Sequence, residues 1–314
     1  MTKSRDTANI IKQPFTQTLG TSNYRAGVNA GNSITSGGNH NVAVGDEAGT
    51  AITTGDQNVF IGYQAGDATT TAGFNIGIGY NALGTNILGG RSVAIGNAAL
   101  EAQNYSTATD AYNVAIGHGT GEAVTTGVQN TLIGGIAGDA LTDADYNVAV
   151  GAGALTLDTL GSTTVAIGTG ALSAQNFTSA TDTYNVAVGY DAGDRVTTGI
   201  QNTIVGALAG DAFTDADFNV AVGSKALSAD TLGSRSVAIG RSALAAQNFT
   251  SATNTYNVAV GMSAGAAVST GIRNTFLGAD TATSANTGND NVFLGYNAGT
   301  YSVATTTGSQ NTVL

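Results

Sequence analysis

Short runs of alternating apolar residues recur along the chain, each opened by a polar residue and closed by glycine. The run at 113–117 reads Asn-Val-Ala-Ile-Gly, and close copies stand at 41–45, 147–151, 185–189, 219–223 and 257–261. Alternation places Val114 and Ile116 on one face of a strand and Asn113 and Ala115 on the other. We predict short strands whose Val/Ile face turns to the core.

The closing glycines follow a fixed rhythm. They lie at 45, 62, 79, 96, 117, 134, 151, 168, 189, 206, 223, 240, 261, 278 and 295. The steps of 17, 17, 17 and 21 residues repeat as a 72-residue super-repeat, and a strand this short must stack on its neighbours. The sequence predicts an all-β fold, a parallel β-solenoid (β-roll). One unit per turn gives a rod roughly 75–80 Å long, and two units per turn give a shorter, wider one.

Polar and aromatic positions mark the corners of the coil. The asparagine that opens most strands has two interpretations, a rung-to-rung ladder of amide hydrogen bonds or tolerance of a left-handed turn. An aromatic residue precedes it in alternate units, and we expect the rings to pack at a corner of the coil. These residues are Phe74, Tyr112, Tyr146, Tyr184, Phe218 and Tyr256.

The 21-residue units carry an insertion of nearly constant text at 102–110, 174–182 and 246–254. Insertions in a solenoid fall on one face, which is often the binding face. Duplication of a loop without a role explains the same pattern. Both interpretations stay open.

Two regions differ in organisation. Residues 1–22 lack the repeat, hold the only proline, Pro14, and include a short helix predicted within 2–12. We interpret them as an N-terminal docking segment and residues 23–314 as the repetitive β-solenoid body.

With Val and Ile directed inward, small residues would line the outer face. They are Ala43, Gly77, Ala94, Ala115, Ala149, Ala166, Ala187, Ala221, Ala238 and Ala259, with bulkier Phe60, Leu132, Ile204 and Phe276 at one slot in each super-repeat. Soluble monomers rarely expose so long an apolar stripe. We therefore expect a partner chain to cover it.

Composition narrows the function classes. Forty-five glycines with one proline exclude collagen, and 10% charged residues with 42% hydrophobic residues argue against disorder. The first 25 residues carry four positive charges and one negative, a sum of about +3. The remainder therefore carries about −14, and the two together give the net charge of −11. An acidic body favours binding to neither nucleic acid nor anionic lipid.

The absence of cysteine removes disulfides and thiolate metal sites. No secretory signal or membrane-spanning run is evident, so we expect no membrane insertion. If the protein acts outside the cell, we expect it to be released by lysis.

Candidate catalytic chemistry is sparse. His40 and His118 lie in unrelated turns, and the carboxylate pairs Asp143 with Asp145 and Asp215 with Asp217 sit in Thr-Asp-Ala-Asp turns. A structural turn role is favoured for these pairs over a calcium site or glycosidic catalysis. We expect no catalytic, cofactor or metal site, and no enzyme activity.

The runs Ser-Val-Ala-Ile-Gly-Asn-Ala-Ala at 92–99 and Ser-Val-Ala-Ile-Gly-Arg-Ser-Ala at 236–243 resemble head repeats of trimeric autotransporter adhesins. The resemblance implies left-handed parallel β-rolls arranged in threes. The whole chain is similar to bacteriophage tail fibres, although its 17- and 21-residue units exceed the usual adhesin spacing. The similarity to tail fibres implies a virion appendage that docks through residues 1–22 on a virion or tail protein and attaches to a host-surface glycan or protein. The alternatives are a capsid decoration, a self-assembling filament or a bacterial adhesin head. Ice binding is disfavoured because the threonines form no regular Thr-x-Thr array.

Overall fold

The fold is seen in a computed structural model that describes residues 20–284, 287–300 and 307–314. Most of the predicted docking segment, and the helix predicted within 2–12, lie outside the described residues. The predicted body is described almost throughout.

Seventeen short strands form one sheet that runs the length of the body. They are β1 Tyr24–Ala26, β2 Val42–Val44, β3 Val59–Ile61, β4 Ile76–Ile78, β6 Val93–Ile95, β8 Val114–Ile116, β9 Thr131–Ile133, β10 Val148–Val150, β12 Val165–Ile167, β14 Val186–Val188, β15 Thr203–Val205, β16 Val220–Val222, β18 Val237–Ile239, β20 Val258–Val260, β21 Thr275–Leu277, β22 Val292–Leu294 and β23 Thr312–Val313. Three pairs of two-residue strands complete the set: β5 Gly89–Gly90 with β7 Thr109–Asp110, β11 Gly161–Ser162 with β13 Thr181–Asp182, and β17 Gly233–Ser234 with β19 Thr253–Asn254.

Each repeat unit makes one turn of the coil. Strand β2 pairs in parallel with β3, with Val42 opposite Val59 and Ala43 opposite Phe60. The same register continues from strand to strand of the main sheet. The all-β parallel solenoid is therefore confirmed, and of the two coil geometries left open by the sequence the structure has one unit per turn.

The orientation predicted for the strands is wrong. The middle residue of each three-residue strand from β2 to β22 points into the core, so that Ala115, Ala149 and Leu132 are fully buried, whereas Ile116 remains 37% exposed. The interior is too narrow for branched side chains on every rung. Alanine therefore faces inward, and Val and Ile face outward.

Large and small residues alternate across this narrow core. Where the strand residue is bulky, the facing wall supplies glycine: a Cβ on Gly138 would lie 2.9 Å from Leu132 Cδ2, and one on Gly193 would lie 2.9 Å from Ile204 Cδ1. A bulky strand residue faces glycine in its own unit, in the unit before it, or in both. The wall of the Gly-x-x-Ala-Leu units supplies a buried leucine instead, as in Leu100 and Leu155. This complementarity explains why some units continue Gly-x-x-Ala-Gly and others Gly-x-x-Ala-Leu.

The closing glycine is required at the corner after each strand. Gly117 has a φ of 140°, and a Cβ there would lie 2.6 Å from the carbonyl oxygen of Gly134 on the next rung. Both the backbone angle and the close approach of successive turns exclude other residues.

Candidate functional site

The outward residues of the main sheet form a long apolar surface. We call the first and third residues of its strands from β2 to β22 the outer stripe; all are Val, Ile or Leu except Thr131, Thr203 and Thr275. Exposure reaches 37% at Ile116, 39% at Ile239 and 51% at Leu277. Fifteen rungs at about 4.8 Å make the stripe roughly 70 Å long.

Aromatic residues line the corner that precedes the strands. We call Phe74, Tyr112, Tyr146, Tyr184, Phe218 and Tyr256 the aromatic row. They lie at the corner, as predicted, and Arg91 and Arg235 stack on Phe74 and Phe218. The rings do not enter the core, because their exposure runs from 37% at Phe218 to 57% at Tyr184. All six adopt positive φ, between 51° and 64°. One of the two interpretations of the following asparagine was this left-handed conformation, but the residue before the asparagine adopts it.

Buried asparagine side chains link successive rungs. Asn130 donates from its backbone N–H to Asn113 Oδ1 at 2.9 Å and from Nδ2 to the carbonyl oxygen of Ala144 at 2.7 Å. Its own Oδ1 accepts the backbone N–H of Asn147 at 3.0 Å. These side chains are fully buried. The ladder interpretation of the asparagines is thus confirmed.

The insertions supply a hydrogen-bond partner where the asparagine ladder is interrupted. Ser92 occupies an asparagine position and has no amide for the next rung, Asn113. Gln103, fully buried, accepts from Asn113 Nδ2 at 3.0 Å and donates to Ser92 Oγ at 3.1 Å. Gln175 and Gln247 act alike beside Thr164 and Ser236. Each insertion therefore contributes a glutamine to the core while most of its residues remain exposed, which neither sequence interpretation anticipated.

An aromatic ring from each insertion is buried beside that glutamine. Tyr105, Phe177 and Phe249 are 6–8% exposed. Tyr105 donates its hydroxyl to the carbonyl oxygen of Gly127 at 2.7 Å. Burial raises the pKa of the Tyr105 hydroxyl, so the group stays protonated and acts as a donor.

Two carboxylates lie in the core, where glutamine amides and backbone N–H groups hydrogen-bond them. Asp158 and Asp230 are fully buried. Asp230 accepts from Gln247 Nε2 at 2.5 Å and from the backbone N–H groups of Gly233 and Phe249. Burial raises the pKa of Asp230, although these hydrogen bonds oppose the shift. Sequence reasoning missed both residues; the repeated text Asp-Thr-Leu-Gly at 158–161 and 230–233, matching Asn-Ile-Leu-Gly at 86–89, was the available signal.

The aspartate pairs hydrogen-bond the preceding rung. Asp145 accepts the backbone N–H of Val128 at 2.7 Å, and Asp143 accepts the hydroxyl of Thr126 at 2.6 Å. Asp217 and Asp215 repeat these contacts with Ile200 and Thr198. Partial burial raises the pKa of Asp145 and of Asp217. These contacts fit the structural turn role.

The remaining candidates do not assemble. His40 lies before β2 and His118 after β8, on rungs four turns apart, and both are exposed. Within the described ranges, no three or more His, Cys, Asp or Glu side chains form a group able to hold a metal ion. No helix in the same part of the chain is long and apolar enough to span a bilayer. Comparison with family models, curated proteins and solved structures found no match for the chain.

Proposed function

We propose that this chain forms the trimeric β-solenoid shaft of a phage virion appendage that attaches to a host surface. Residues 1–22 dock on a virion or tail protein, and the 72-residue super-repeat extends the shaft. The protein then acts outside the cell after release by lysis, without enzymatic activity. The resemblance of 92–99 and 236–243 to adhesin head repeats supports this assignment.

The outer stripe carries the proposal. Two rows of side chains over roughly 70 Å give an apolar surface of roughly 700 Å², close to the 800 Å² or so that each partner buries in a standard interface. A monomer seldom exposes a contiguous apolar patch of this size. The partner-covered face is thus the Val/Ile face and not the alanine face that the sequence indicated.

A second copy of the chain suits the stripe better than an unrelated partner. Every rung presents two outward side chains at the same spacing, and all but Thr131, Thr203 and Thr275 are Val, Ile or Leu, so two stripes laid side by side can contact each other along their whole length. Three copies around an axis cover all three stripes and leave the corners in solvent. A self-assembling filament or capsid decoration uses the same contacts without a receptor, and a bacterial adhesin head uses them on a cell.

The first experiment is the mass of the purified chain in solution by sedimentation or light scattering. We expect three times 31.0 kDa. A double substitution of Ile116→Asp and Ile239→Asp should dissociate the trimer, because it introduces charges at two separate rungs of the outer stripe. Asn104→Asp adds a charge at an exposed insertion position and should leave the mass unchanged. A stable 31.0 kDa wild-type monomer contradicts the proposal.

A second experiment separates attachment from a purely structural role. Fluorescently labelled trimer should bind intact host cells, and a version lacking residues 1–22 should bind cells equally well but fail to join the particle. A filament or capsid decoration would join particles and leave cells unlabelled.

A further inference from the structure

We propose that the central part of the aromatic row is a binding track for an extended, neutral, β-1,4-linked glycan chain. The track consists of Tyr112, Tyr146, Tyr184 and Phe218 with the residues between them in the same corner. The track would identify the class of ligand for the attachment function proposed above. Its biological setting rests on that proposed function.

The exposed rings occupy a conformation that disfavours them. Tyr112, Tyr146 and Tyr184 are 52–57% exposed, with φ between 51° and 59°. Glycine or asparagine adopts this left-handed region at lower cost. Gln129, Thr163 and Gln201 adopt the same positive φ on the intervening rungs, so the corner imposes this angle, and an aromatic ring that is half exposed there contributes little to folding. Its use for ligand contact explains its presence.

Hydrogen-bonding side chains alternate with the rings. Gln129, Thr163 and Gln201 take the same corner position on the intervening rungs, and both glutamines are exposed. A backbone bond from the N–H of Gln129 to the carbonyl oxygen of Ala111, and one from Tyr146 to Val128, stack these corners in line. Sugars present an apolar C–H face and a rim of hydroxyls, which rings and amides respectively recognise.

The spacing of the rings favours an extended chain. Rings recur on every second rung, about 9.5 Å apart, which is close to the length of a disaccharide unit in an extended β-1,4-linked chain. Tyr146 and Tyr184 therefore meet equivalent sugars, and Tyr112 and Phe218 extend the row at its two ends. Four rings in line accommodate roughly three to four disaccharides, so affinity should grow with chain length through added contacts.

The charges around the track favour a neutral ligand. Arg235 lies 4.5 Å from the ring centre of Phe218, and Arg91 lies 4.5 Å from that of Phe74. Arg91 is paired with Asp110 at 3.0 Å. Arg91 also lies 5.8 Å from the ring centre of Tyr112, so guanidiniums stack at both ends of the track, with Tyr146 and Tyr184 between them. Beyond the first 25 residues the protein is acidic, which repels a polyanion.

The test is isothermal titration calorimetry on the full chain with hexasaccharides of β-1,4-linked glucose and of β-1,4-linked N-acetylglucosamine. We expect saturable binding of at least one hexasaccharide and at least tenfold weaker binding of its disaccharide. The double variant Tyr146→Gln, Tyr184→Gln should bind at least tenfold more weakly than the wild type. Glutamine is chosen because the chain itself places Gln129 and Gln201 at this corner.

Tyr190→Gln is the matched control, since Tyr190 is 58% exposed but follows β14 instead of preceding it. It should bind like the wild type. The thermal unfolding midpoint and the solution mass should stay the same in both variants. Absence of binding by the wild type overturns the proposed track, and so does a double variant that binds normally. A double variant with a changed solution mass also overturns it, because that result assigns the aromatic row to contact between chains. Because purified protein and soluble sugar suffice, failure here leaves the mass and cell-binding tests of the proposed function standing.

Discussion

Removing one rung of the asparagine ladder should destabilise the solenoid locally. Asn130→Ala removes two hydrogen bonds. The backbone N–H of Asn147 loses its acceptor, Asn130 Oδ1 at 3.0 Å, and the carbonyl oxygen of Ala144 loses its donor, Asn130 Nδ2 at 2.7 Å. All of these contacts lie in the core. A buried polar group left unpaired costs about 1–3 kcal/mol, so two such groups lower the free energy of unfolding by about 2–6 kcal/mol.

Urea denaturation measures the total effect, with the midpoint lowered and the slope unchanged. Amide hydrogen exchange measures its location. Since solenoid rungs contact only their neighbours, the N–H of Asn147 should exchange faster, while β18 to β21 keep their protection. Asn104→Ala makes the same change at an exposed position and should alter stability by less than about 0.5 kcal/mol. If Asn130→Ala is no more destabilising than this control, or if Asn147 stays protected, the amide ladder does not stabilise the coil as argued.

Two further substitutions probe the core and the corner. Burial raises the pKa of Asp230, so the folded state holds its proton more tightly and stability falls as pH rises through that pKa. Asp230→Asn, which copies Asn86, should therefore raise the unfolding midpoint at pH 7 and match the wild type in acid; a pH-independent difference contradicts this. Gly117→Ala should cost more than about 1 kcal/mol, because its Cβ would lie 2.6 Å from the carbonyl oxygen of Gly134; an unchanged urea midpoint argues against that close approach.

The sequence predicted the parallel solenoid because its main constraints are local and repeated. A glycine every 17 or 21 residues fixes the corner, and a three-residue apolar run can be stable only when stacked. The amide ladder was one of two interpretations of the opening asparagines, and the contacts of Asn130 decided between them. The turn role of Asp145 likewise required the rung-to-rung bond to Val128.

Which face of the strand turns inward depended on the tertiary structure. Alternation of Val114, Ala115 and Ile116 defines two faces but does not say which wall opposes them. The width of the coil decides this, because only alanine, or a larger residue facing glycine, fits between the two walls. The position of Gln103 beside Ser92 and the exposure of Tyr146 also follow from the path of the coil. Spacing along the chain therefore determined the repeat, and packing across the coil determined which surfaces remain for partners.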